Sequence, residues 1–94
     1  MTPDGPDVVV DARGLRCPMP VIRLAREAAA RPPGTTIAVL ATDPAARHDV
    51  PAWARMRGHA MVAVREDDGV LRLTVRLLAP ADGDGPGTAR VPGP

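Results

Sequence analysis

The sequence predicts an α/β protein: a two-layer sandwich of order β-α-β-α-β-β, with a four-stranded mixed sheet and both helices on one face. Three observations lead there. Along residues 7–78, β-branched apolar runs alternate with stretches of helical periodicity. The last two apolar runs, over 59–66 and 70–77, alternate as strands do and flank Asp67-Asp68-Gly69, a hairpin turn with its glycine in place. Apolar residues make up 45% of the chain, yet Trp53 is the only aromatic, so the core is built from Val, Leu, Ile, Ala and Met.

Residues 1–6 hold two prolines and a glycine and read as a flexible lead. Val8-Val9-Val10 is the first strand, ended by the turn Asp11-Ala12-Arg13-Gly14. Residues 18–31 read as a helix, because Val21, Leu24, Ala25 and Ala28 keep the i, i+3, i+4, i+7 spacing. Pro32-Pro33-Gly34 cannot continue it. Before Pro20, Met19 resists the α region, which allows a start at Pro20. Residues 35–41 are apolar without alternation, which predicts a central strand buried on both faces.

Asp43 then reads as a helix cap and Pro44 as the first helical residue of a segment reaching Arg57, with Gly58 as its stop. Pro51 falls inside that segment and predicts a kink or a split. The third strand places Ala60, Val62 and Val64 in alternation; the fourth sets Leu71, Leu73, Val75 and Leu77 against Arg72, Thr74 and Arg76. Residues 79–94 contain eight Gly or Pro among sixteen and no apolar face, and read as a disordered tail.

The 94 residues suffice for one domain with a modest core. Net charge is +1, every cation is Arg, and neither a basic field nor stacking aromatics is present, which argues against direct nucleic-acid binding. No apolar run is long enough to span a bilayer and no signal pattern opens the chain, so a soluble, cytoplasmic protein without membrane partners is expected.

Cys17 is the only cysteine, so no internal disulfide forms and no resolving thiol stands by. It sits where the first loop enters the first helix. The positive helix end, with Arg13 and Arg16 flanking, is expected to lower the thiol pKa. Pro18 and Pro20 lie where their missing N–H groups cost little, and stiffen the first turn. The competing reading is an inert, core-facing cysteine.

At this point the motifs converge. Gly14-Leu15-Arg16-Cys17-Pro18-Met19-Pro20 comes first, then Thr42-Asp43-Pro44 with Asp49-Val50-Pro51-Ala52-Trp53, then Gly58-His59 and Gly69. Together, over residues 8–77, they resemble the TusA (SirA-like) sulfur-carrier family. The resemblance implies the same β-α-β-α-β-β fold. It implies that Cys17 accepts sulfane sulfur as a persulfide and relays it, as a carrier in a sulfurtransferase relay rather than as a stand-alone enzyme. The implied donor is a cysteine desulfurase or a rhodanese-like protein. The acceptor is a further protein leading to tRNA thiolation, molybdenum cofactor or sulfur metabolism. No cofactor is implied. Met19 stands where several members carry Glu, Thr42 where some carry an acidic residue, and Ala54 where some carry a second cysteine.

The remaining polar candidates divide between function and structure. Asp43 reads as a cap first and a transfer residue second. Asp49 reads as part of a solvated helix face or as a partner for Arg. His48 and His59, without ligands at metal spacing, predict no metal site. His59 reads as a helix terminator whose charge suits the dipole. Trp53 is a partner contact or a core residue. Met19 is the exposed apolar contact, with Met56 and Met61 as filling. The rival function is a redox-responsive thiol module that binds or regulates without sulfur transfer.

Overall fold

The computed structural model describes residues 5–79. The expectations for the extreme N-terminus and for the tail beyond residue 79 lie outside them. Six elements follow in order: β1 (Val8–Ala12), α1 (Met19–Ala29), β2 (Thr36–Ala41), α2 (Ala46–Arg57), β3 (Ala60–Asp67) and β4 (Val70–Arg76). The strands form one sheet in the order β1-β2-β4-β3. β1 runs parallel to β2, which needs the α1 crossover; β4 is antiparallel to both β2 and β3.

One apolar cluster joins both helices to one face of the sheet. Leu24 of α1 and Val50, Trp53 and Ala54 of α2 meet Ile37 and Val39 of β2 and Leu71, Leu73 and Val75 of β4. Val21, Ala25 and Ala28 pack at its margin, so the helical spacing of the sequence marks the inward face of α1. The opposite sheet face carries no helix. Central β2 is therefore covered fully only toward the helices: Ala38 is sealed by its neighbours, but Thr36 and Leu40 are half-buried. Burial on the face away from the helices, expected along the whole strand, is met only at Ala38.

α1 is shorter than expected. It starts at Met19, and Ala30 and Arg31 close it with i→i−3 bonds to Glu27 and Ala28, 3.1 and 3.2 Å. Arg31 precedes Pro32, which disfavours another α turn. α2 is one helix of 12 residues with Pro51 inside it. It does not split, because Val50, Trp53 and Ala54 are buried on either side of the proline and hold the segment against the sheet. Gly58 ends it at φ 80°, and the His59 N–H reaches the Ala54 carbonyl at 2.7 Å.

β3 departs from the alternation in its sequence. Met61 pairs with Val75 and Ala63 with Thr74, so Val62 is an extra residue in a bulge. Met61 therefore packs on the core, whereas Val62 is 56% exposed. Val64 faces the helix side at the sheet edge and stays 41% exposed. Met56, read as filling, is 75% exposed. The β3–β4 turn is Asp68-Gly69, both at positive φ (52° and 78°), the geometry of a two-residue hairpin loop.

Candidate functional site

Cys17 lies in the β1–α1 loop at the C-terminal end of β1 and β2. Two bonds pin that loop to the β2–α2 loop. The Gly14 N–H, in a left-handed turn at φ 82°, donates to Thr42 Oγ1 at 2.8 Å. The Cys17 N–H donates to Asp43 Oδ2 at 2.9 Å. The second Asp43 oxygen accepts from the Ala45 N–H at 3.0 Å, and its carbonyl from the Ala46 N–H at 3.0 Å. One carboxylate thus shapes the turn before α2 and fixes the cysteine backbone together. α2 starts at Ala46 with Ala45 at its N-cap, so Asp43 is not the expected cap and Pro44 not the expected first helical residue, because Asp43 bonds the turn N–H of Ala45 instead. Those bonds and nearby Arg16 hold the Asp43 carboxyl below the usual range. Beside the loops lies an open cleft of about 470 Å³ lined by Gly14, Leu15, Arg16 and the Thr42-Asp43-Pro44 turn.

The thiol itself is half-buried and touches the core margin. Its pKa is pushed up to about 11, by burial first and then by the carboxylates of Asp49 and Asp43. This reverses the expected lowering. Arg13, expected to favour the thiolate, turns away: its guanidinium holds Asp11 through two bonds of 2.8 Å and pulls that carboxyl down to about 2. Arg16 is exposed and acts on Asp43 instead. Burial, and after it the two carboxylates, act against the charged form that the helix end was expected to favour. Asp49, on the first turn of α2 and half-buried, is the residue that composition and spacing underplayed. The one signal for it was its place in the Asp49-Val50-Pro51 block.

The other expected site residues separate by depth. Pro18 is exposed and caps α1. The Cys17–Pro18 peptide is cis. Pro20 is fully buried in the first turn, so it anchors the helix start. Met19, 39% exposed, and Ile22, 37% exposed, form an apolar rim on that turn. Trp53 is not a surface contact: it is 7% exposed, sits in the core, and its Nε1 has no hydrogen-bond partner among the described residues. His59 packs against it with ring centroids 5.3 Å apart and planes tilted by 42°, and its Nδ1 accepts the Leu78 N–H at 3.0 Å. Burial and Arg57 push the His59 pKa down, so the neutral ring is favoured and the expected helix-dipole role is not met. Among the described residues, no three His, Cys, Asp or Glu side chains gather as metal ligands, and no helix is long and apolar enough to cross a membrane.

Comparison with known proteins gives concordant results. The sequence model of the family described as Sulfurtransferase TusA matches residues 8–77. A sulfur carrier protein TusA of Pseudomonas putida strain GB-1 is 38% identical over 79 residues, covering 84% of this chain and 99% of its own. One from Pseudomonas aeruginosa strain PAO1 is 37% identical over 73 residues, covering 78% of this chain and 92% of its own. Among solved structures, a SirA-like protein from Desulfitobacterium hafniense superposes with a TM-score of 0.68 at 27% identity, covering 77% of this chain and 99% of that one.

Proposed function

The chain belongs to the TusA family, and on that premise we propose that it is a sulfur carrier whose cargo is a persulfide on Cys17. The observation that carries this reading is the lone thiol on a loop clamped by Thr42 and Asp43, inside the segment the family shares. We take residues 7–78 as the carrier domain.

The transfer step is a thiol–disulfide type exchange. Cys17 Sγ, once deprotonated, attacks the terminal sulfur of the donor's persulfide. The Cys17 Sγ–S bond forms as the donor's S–S bond breaks, and the donor thiolate leaves with the proton that Cys17 gave up. Delivery repeats the exchange: the acceptor attacks the terminal sulfur and Cys17 is released as thiolate. No net oxidant is consumed. The absence of a second cysteine matters here, because a resolving thiol would expel the cargo as hydrosulfide.

The raised thiol pKa gives the carrier a resting state. Burial, and then the carboxylates of Asp49 and Asp43, keep the free thiol protonated at neutral pH. A docked partner that screens those carboxylates with a cation favours the thiolate at the moment of transfer. The donor we propose is a cysteine desulfurase or a rhodanese-like protein. The acceptor is a protein serving tRNA thiolation, molybdenum cofactor or sulfur metabolism, and the relay operates in the cytoplasm. The test is transfer of label from [35S]cysteine through a desulfurase to the protein on a non-reducing gel. Label that is reductant-sensitive and lost in Cys17→Ser supports the reading. Equal label in Cys17→Ser overturns it.

A further inference from the structure

The uncovered face of the sheet carries a charge pattern that sulfur carriage on Cys17 does not use. Register places Arg65 of β3 directly opposite Arg72 of β4, both on the face away from the helices, with Arg76 four residues further along β4 on the same face. Like charges directly opposed across strands destabilise a sheet. Asp67, two residues after Arg65 on the same face, forms no ion pair with either arginine. Asp11, in the same cross-sheet row, is held by Arg13, and Glu66 is held by Arg47. Among the described residues, Arg65, Arg72 and Arg76 make no ion pair.

The same face holds a shallow groove of about 360 Å³. Arg65 and Arg72 line it with the Thr36 and Thr74 hydroxyls and the apolar Val62 and Ala63. The β3 bulge is what turns Val62 out to 56% exposure there. Donors, cations and small apolar surfaces are thus interleaved on a flat face. An anionic occupant would relieve the arginine opposition and cover Val62 together.

We propose that this face docks an acidic, partly apolar segment of another protein, with carboxylates paired to Arg65 and Arg72. The chemistry favours protein over nucleic acid. Single strands bind sheet faces through aromatic stacking, and the only aromatic of this chain is buried on the other side of the sheet. Arginine pairs carboxylates in a bidentate manner, and the Thr74 hydroxyl supplies a further donor, the Thr36 hydroxyl being bonded to Asp7. The surface is independent of the thiol's chemistry, so it serves a partner whether or not that partner exchanges sulfur.

The test is a 15N NMR titration of the full chain with an eight-residue peptide of alternating Glu and Val, beside a poly-U oligonucleotide. Peptide-induced shifts should centre on Ala63, Arg65, Arg72 and Thr74. Affinity should fall roughly tenfold or more between low and physiological salt. The Arg65→Glu/Arg72→Glu pair should lose binding by at least about tenfold, with its amide spectrum still dispersed. The single variant Arg65→Glu should weaken binding while raising the melting temperature, since it converts a like-charge pair into an opposite one. Shifts confined to the Cys17 loop or α1, unchanged binding by the double variant, or a lowered melting temperature for Arg65→Glu would overturn the proposal. So would equal or tighter binding of the oligonucleotide at this face.

Discussion

Alkylation of Cys17 by iodoacetamide, followed from roughly pH 6 to 12, should show a rate that keeps rising until the pH reaches about 11. Moving the thiol pKa from 9.0 to about 11 leaves roughly a hundredfold less thiolate at neutral pH. The more basic thiolate is intrinsically the better nucleophile, by roughly six- to tenfold for a Brønsted slope of about 0.4–0.5. The net rate at neutral pH should therefore lie roughly 10- to 16-fold below that of an ordinary cysteine. Asp49→Asn removes a negative charge beside the sulfur, so its midpoint should move down and its neutral-pH rate up. The same shift acts on stability. The protonated thiol is favoured in the fold, so its contribution is fully present below the unfolded value and is lost as pH rises through about 11. The chain has no Lys and no Tyr, so no other side chain titrates in that window and the alkaline loss reports Cys17 directly. A rate plateau below about pH 8 would refute the reasoning and return the thiol to the helix-end picture.

Other expectations follow from single contacts. Asp43→Ala leaves the Cys17 and Ala45 N–H groups without their acceptor, and should cost about 1–3 kcal/mol in urea unfolding while speeding amide exchange at Cys17. Leu24→Ala opens a hole in the centre of the core and should cost about 2–5 kcal/mol by the same measure. His59 has its pKa depressed in the fold, so its contribution is present above the unfolded value of 6.5 and is lost as pH falls through the folded one. The emission of Trp53 should change over that range, and His59→Gln should flatten both responses.

Element order was legible because the patterns that report it are local. The spacing of Val21, Leu24, Ala25 and Ala28 named the inner face of α1, and Asp67-Asp68-Gly69 named the hairpin. The bulge at Val62 was not legible: one inserted residue leaves the alternation of the letters intact while reversing which of them meet the core. Pro51 misled for a related reason, since propensity says nothing about the packing of Val50 and Trp53 that holds the helix through it. At the site, Cys17 and Asp43 were legible as positions, and the clamp between them was not, because it joins loops 26 residues apart. The sign of the thiol shift was misread from sequence neighbours. Arg13 is adjacent in the chain but spent on Asp11, while Asp49 is distant in the chain and adjacent in space.

The most direct test of the central claim is intact-mass spectrometry under non-reducing conditions, after incubation with a cysteine desulfurase and cysteine. The account predicts a gain of one sulfur at Cys17, removed by reductant and absent in Cys17→Ser. An unchanged mass, with the desulfurase itself carrying persulfide in the same sample, would contradict it.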